Sequence, residues 1–359
     1  MNDVTLESQL FDIIKDKEMA EHIKLAKLDM LVRLGVNLEA EDKKGRNVLY
    51  IASGLGYTKI VEFLIKNGVD INIECGKTTM HKAMNNNMTP LMVASLNNRK
   101  DMVELLVKDG ADVNQKGGLF VRNALMHASK YGYKEIVEFL IESGTNINDV
   151  DKGGKTALAI ASLTGHIEVA ELLISKGIDV EKYDKTGKSA LVYACRENHK
   201  ELAKILIKNS PNIKNESSEG LSILFEASEK NWKDVVELLI ENGVDVNGRE
   251  EFLGYNALMI ASGRGYKEIV EFLIQKGADV NMVDLGGQTA LTDACCNGYA
   301  EIVELLIQNG ADVNYKDENG KRAIELAKDE ETRKVIFEAV KKRGEKTSEN
   351  VFIQGKNRE

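Results

Sequence analysis

Two strings in this chain carry the residue types of a phosphate-binding loop: Gly153-Gly154-Lys155-Thr156 and Thr186-Gly187-Lys188-Ser189. Such a loop wraps phosphate oxygens in backbone amides. It needs a further glycine five residues before the one that precedes the lysine. Those positions hold Asp149 and Lys182, so neither string completes the motif. Asp317-Glu318-Asn319-Gly320 has the form of half a calcium loop, but the first ligand position is Tyr315 and the twelfth is Leu326, neither of which supplies a carboxylate. Cys75 and His81 offer two metal ligands where a structural zinc site takes four. The remaining histidines, at 22, 127, 166 and 199, are scattered along the chain. No enzyme activity, cofactor or metal is therefore expected.

Bulk properties narrow the function classes further. The net charge is −9 with a pI near 5.4, which argues against a nucleic-acid or anionic-membrane binder, whose affinity rests on excess lysine and arginine. Residues 1 to 35 show no basic-then-apolar leader, and nowhere does a run of uncharged apolar residues reach the length of a membrane span. Cys75, Cys195, Cys295 and Cys296 follow no paired spacing. Cys195 and Cys295 take a position held elsewhere by Ser53, Ser95, Ser129, Ser162, Ser228 and Ser262, which reads as a small half-buried residue. A soluble monomer in the reducing cytoplasm is expected.

The elements behind these strings are repeats. The segment beginning at Asn123, NALMHASKYGYKEIVEFLIESG, returns at Asn256 as NALMIASGRGYKEIVEFLIQKG, with related copies at Thr156 and Thr289. Units open at Asn47, Thr89, Asn123, Thr156, Ser189, Ser222, Asn256 and Thr289, with a degenerate one at Arg322; after a wider first interval the period is about 33 residues. In the copy from Asp151, Thr156 is an N-cap residue type, and Ala157, Leu158 and Ala161 follow at helical spacing. The run stops at Gly165. The equivalent positions, Gly56, Asn98, Gly132, Asn198, Asn231, Gly265 and Gly298, hold only the two residues that enter the left-handed region most readily. A second helix follows with one apolar stripe, such as Ile136/Val137 and Leu140/Ile141, and ends at another glycine, for example Gly68, Gly110, Gly144 and Gly177. No unit this small buries its stripe alone, so neighbours must stack.

The spacing, the Thr89-Pro90-Leu91 triplet and the GADVN tails from Gly110, Gly277 and Gly310 resemble the ankyrin repeat over most of the chain. The resemblance implies an all-α ankyrin-repeat solenoid of helix–turn–helix units with β-turn fingers. The expected layout is an N-terminal capping repeat over 1–45, eight repeats over 46–320, a C-terminal capping repeat over 321–343 and a polar tail over 344–359, in which residues 351–354 could dock as a strand. The family's histidine after its Thr-Pro-Leu is replaced here by Met126, Ala159, Val192, Met259 or Thr292, while His127 one position later reads as a surface or interface residue. Thioether and aliphatic packing must then replace imidazole hydrogen bonds. An insert near Cys75 to Asn87 and single-residue inserts before Asn123 and Asn256 break the period. Ser210-Pro211 replaces a capping glycine and marks an expected weak seam.

The resemblance also implies non-catalytic recognition of another protein on the concave face of finger tips and first helices. Two fingers are unusual: Leu119, Phe120 and Arg122 in one, Phe252, Leu253 and Tyr255 in the other, where the remaining tips read as polar. These, with Tyr131, Arg264, Lys155 and Lys188, are the candidate partner-binding residues. The apolar tips either contact a partner or pack on their neighbours. Early tips are basic (Lys43, Lys44, Arg46, Lys152, Lys185) and later ones acidic (Glu219, Glu250, Glu251, Asp317, Glu318). Acidic pairs on the second helices, such as Glu135/Glu138 and Glu301/Glu304, read as a solvated back face. An inhibitor or immunity-type protein that occludes a partner enzyme is the alternative; an enzyme or metal-dependent protein would need a constellation that these residues lack.

Overall fold

The computed structural model of the chain describes residues 5–76, 87–213 and 218–342. Among them helices alternate with turns, and the extended pairings are three isolated antiparallel bridges, Cys75–Met88, Gly117–Arg122 and Lys316–Arg322. His81, most of the insert after Cys75 and the tail beyond 343 lie outside the described residues. The chain forms two compact units that divide between Asn209 and Ser210, where the missing capping glycine marked a seam.

The first unit opens with α1 (Leu6–Lys15) and α2 (Glu21–Arg33). Five pairs follow: α3 (Val48–Leu55) with α4 (Thr58–Lys66), α5 (Pro90–Leu96) with α6 (Lys100–Lys108), α7 (Ala124–Lys130) with α8 (Lys134–Glu142), α9 (Ala157–Thr164) with α10 (Ile167–Ser175), and α11 (Ala190–Arg196) with α12 (Lys200–Lys208). The second unit holds α13 (Ser218–Glu229) with α14 (Lys233–Glu241), α15 (Ala257–Arg264) with α16 (Lys267–Gln275), α17 (Ala290–Asn297) with α18 (Ala300–Gln308), and α19 (Ala323–Leu326) with α20 (Glu330–Lys342). Within each unit first helices pack on first helices and second on second, one repeat against the next.

The two helices of a repeat are buried differently. In α9, Ala157 through Ser162 are all buried, because the first helix lies between neighbours and its short side chains let them approach. In α8 only Ile136, Val137 and Leu140 are buried, one stripe of the helix. Glu135 and Glu138 face outward with their equivalents. Ion pairs bridge successive second helices: Lys176–Glu142 at 3.2 Å, Lys233–Glu268 at 3.1 Å and Lys267–Glu301 at 2.8 Å. Exposed pairs of this kind contribute little, because water screens the attraction and both side chains lose freedom.

Caps fix the helix ends. The side chains of Asn47, Thr89, Asn123, Thr156, Ser189, Asn256 and Thr289 each accept a backbone N–H from the first turn. At the other end the glycine and asparagine positions are left-handed, from φ +84° at Gly56 to +56° at Asn98. The residue after each donates its amide to an alanine carbonyl of the first helix, as His166 does to Ala161 at 3.0 Å. A second constraint acts at the glycines. A Cβ at Gly132 would fall 2.6 Å from the His166 ring, one at Gly165 2.5 Å from His199, and one at Gly265 2.6 Å from Tyr299. The ring that opens the next second helix therefore occupies the space a side chain would need.

Three local expectations change. The serine and cysteine positions are fully buried, not half-buried: Ser53, Ser95, Ser129, Ser162, Cys195, Ser228, Ser262 and Cys295 are all at 0% exposure. His127 is no surface residue, because both ring nitrogens are buried without a hydrogen-bond partner. Burial, with Arg122 and Lys130 acting the same way, pushes its pKa down to about 4. Ser222 does not open its repeat: α13 begins at Ser218, with Glu219 in the first turn where the helix dipole favours an acid.

Candidate partner-binding surface

Five fingers close around one aspartate each. Asp151 Oδ1 accepts the amides of Gly153 at 2.8 Å and Lys155 at 3.0 Å, and Asp42, Asp184, Asp284 and Asp317 close their turns in the same way. The phosphate-loop look-alikes are thus ordinary finger turns. At Asp184, burial works against ionisation, but the Tyr193 hydroxyl, Thr186 and the Lys188 amide outweigh it and hold the carboxyl below its usual range.

The finger at 117–122 lacks that aspartate. Gly117 and Arg122 exchange backbone bonds at 2.9 and 2.8 Å, and a Cβ on Gly117 would lie 1.9 Å from the Asn87 carbonyl oxygen. Val121 sits at φ +55°, a left-handed conformation that a β-branched side chain strongly disfavours. Leu119 and Phe120 are each 53% exposed. Arg122 points the other way. It is buried, and its Nε and Nη2 both donate to Asp151 Oδ2 at 3.2 Å, with the guanidinium 4.8 Å from the Phe120 ring. It supports the finger from beneath.

Lys155 and Lys188 converge on Tyr193, their ammonium groups 5.4 and 6.0 Å from its ring, and Lys155 also pairs with Asp184 at 3.6 Å. Burial lowers the Lys155 pKa, but Tyr193, Asp151 and Asp184 outweigh it and raise the pKa overall. Tyr131 is exposed on α7, stacked 5.9 Å from Tyr133. Of the early basic residues, Lys43, Lys44, Lys152 and Lys185 are exposed, whereas Arg46 is held by Asp42 at 2.7 Å.

In the second unit the finger at 250–255 borders a groove of about 990 Å³. Its floor is Leu221 and Phe225 of α13, Tyr255, and Met259 and Ile260 of α15. Phe225 and Tyr255 meet edge to face with ring centres 5.6 Å apart. Phe252 stands on the rim at 81% exposure. Glu250 takes the place of the turn aspartate, accepting the Phe252 amide at 2.9 Å and the Leu253 amide at 2.6 Å. Arg264 lines the groove and pairs with Glu229. Phe252, Tyr255 and Arg264 are thus brought to one groove, with Leu253 outside its lining on the same finger.

Sequence reading passed over three exposed side chains. Leu285, 65% exposed, lies beside Leu253, to whose carbonyl its amide donates at 2.9 Å, so the tip at 284–288 is not wholly polar. Tyr183 and Val121 are exposed as well. Leu285 and Tyr183 did carry a signal, an apolar residue directly beside a turn glycine or aspartate. Asp293 of α17, also in the groove lining, carried none, because its environment is made by another repeat.

Among the described residues no helix is long and apolar enough to cross a membrane. A family model described as ankyrin repeats (3 copies) matches residues 18–117, 118–184, 179–250 and 247–317. No curated protein matches the chain.

Proposed function

Since the chain belongs to the ankyrin-repeat family, a family of protein–protein interaction modules, we propose that it is a non-catalytic scaffold gripping a partner protein with its finger tips and first-helix faces. The observation that carries this reading is the exposure of Phe252, at 81%, beside an apolar-floored groove. Burying one phenylalanine removes roughly 150–250 Å² from water. At about 25 cal/mol per Å² that amounts to several kcal/mol, enough for a binding hot spot after association costs. Leu119 and Phe120 present a second apolar tip in the first unit. Strain at Val121 supports the reading, since disfavoured backbone is retained most often where function requires it. Arg122 acts as a support, and Lys155 and Lys188 as a half-shielded positive cluster around Tyr193. The protein is taken to work as a monomer in the cytoplasm, with Cys75, Cys195, Cys295 and Cys296 as free thiols.

The test uses the full chain as bait in parallel with a Phe120→Ser, Phe252→Ser double variant, followed by mass spectrometry. A protein retained by the first and lost from the second supports the reading. Retention of the same proteins by both overturns it.

A further inference from the structure

The groove of the second unit contains one carboxylate whose compensation is missing. Glu226 pairs with Lys230 at 2.8 Å, Glu229 with Arg264, and Glu250 accepts two amides of its own turn. The third cation of the lining, Arg249, donates to the Val283 carbonyl at 2.8 Å. Asp293 is half-buried on α17 against α15, with its Cβ 3.5 Å from where a Cβ on Gly263 would lie. Among the described residues no cation pairs with its carboxylate and no donor bonds to it. Burial, joined by the Asp284 carboxylate on the adjoining finger, pushes its pKa up to about 7. A partly buried carboxylate with a like-charged neighbour and no cation is costly to the free protein. A cation supplied by a partner would stabilise the ionised form, which nothing else in the groove does.

The rest of the groove says what carries that cation. Phe225 and Glu229 lie on α13, Met259 and Arg264 on α15, and Asp293 on α17, so the lining crosses three successive first helices. At 8–10 Å between packed helix axes this is about 20 Å. An extended polypeptide covers that span with roughly six residues at ~3.3 Å each. A single small amine would leave the Phe225–Tyr255 floor unfilled.

We propose that this groove holds an extended segment of the partner protein in which a lysine or arginine stands next to an aromatic or branched aliphatic residue. The cation pairs with Asp293, and the apolar side chain lies against Phe225 and Tyr255. Rim acids Glu250 and Glu251 add a field of the same sign that favours the basic segment on approach. The inference rests on the partner-recognition reading above and specifies the chemistry of one part of that surface.

The test is selection of random dodecapeptides displayed on phage against the immobilised full chain, repeated on Asp293→Asn and on Glu304→Gln, which alters an exposed acid of α18 outside the groove. Asp293→Asn keeps the side-chain shape and removes a charge that burial disfavours, so thermal unfolding should match or exceed that of the parent. Peptides from the parent should be enriched in arginine or lysine within two residues of an aromatic or branched aliphatic side chain. A synthetic peptide from that set should bind Asp293→Asn about tenfold more weakly, and Glu304→Gln nearly unchanged. Replacing its arginine by citrulline should cost the parent about tenfold and the Asp293→Asn variant nothing more. Enriched peptides that compete at the groove yet lack basic residues, or equal losses in the two variants, overturn the pairing while leaving the recognition surface standing. Selection that enriches no peptide overturns both.

Discussion

Arg122 and Asp151 join two consecutive fingers through one carboxylate oxygen that accepts two guanidinium N–H donors, both side chains nearly closed to water at 9% and 2% exposure. Asp151 spends its other oxygen on its own turn. Removing the arginine leaves that carboxylate buried and half-compensated. Arg122→Ala should therefore lower unfolding stability by about 3 kcal/mol in denaturant titrations. A loss below about 0.5 kcal/mol would mean that the ion pair is no support for the finger.

The apolar tips should behave in the opposite way. Phe120→Ser and Phe252→Ser remove exposed side chains, so melting curves should stay nearly unchanged while affinity for the partner falls at least tenfold, about 1.4 kcal/mol. Several degrees lost in melting temperature with unchanged affinity would return these residues to a packing role.

Val121 holds a left-handed backbone at φ +55° that asparagine adopts far more readily. Val121→Asn should raise stability by about 1 kcal/mol. Calorimetry showing no gain would mean that the conformation carries no strain.

Of the buried serines, Ser53, Ser129, Ser162 and Ser262 have hydroxyls with no partner, whereas Ser95 and Ser228 donate to carbonyls one turn back at 2.8 and 2.7 Å. Cysteine replaces a strong donor by a weak one of similar shape, as Cys195 and Cys295 do at the same position. Ser129→Cys and Ser262→Cys should thus be neutral or stabilising by up to about 1 kcal/mol, and Ser95→Cys destabilising. The reverse order in thermal unfolding would reject the account.

Two buried groups pull the pH profile in opposite directions. Asp293 has its folded pKa raised to about 7 from 3.8, so between those values the folded state binds a proton that the unfolded state lacks. Its contribution is most favourable below pH 4 and is lost as pH rises through 7. His127 is depressed to about 4 from 6.5, so the unfolded state binds the extra proton and stability rises with pH across that window. Asp293→Asn should leave stability rising from pH 4 to 6.5, and His127→Gln should leave it falling from pH 4 to 7. Parallel profiles for all three proteins would refute both assignments.

Much of the fold was legible because its determinants are local and repeated. Thr156 and Gly165 bracket a helix by capping chemistry alone, and the same logic holds at each copy. It failed at Ser222, a capping residue type that here lies inside a helix beginning at Ser218. The expected seam also rested on local chemistry: Ser210 stands where a left-handed glycine belongs, and the compact units divide just before it. Side chains whose environment comes from another repeat were hidden. Arg122 reads as exposed until Asp151, in the next unit of sequence, folds against it. His127 reads as a surface histidine until burial leaves its nitrogens without partners, and Asp293 reads as one acid among many.

The finger at 117–122 is closed by backbone bonds between its ends, with Gly117 and Arg122 as its posts, and its backbone link to the next finger is the Lys152 amide donating to the Phe120 carbonyl. Both links ignore side-chain identity. The tip between the posts is in effect an exchangeable cassette: its letters can be rewritten, by drift or by an engineer, while the framework beneath keeps its grammar. A loop graft confined to Leu119 and Phe120 would retarget the protein without asking the stack to refold.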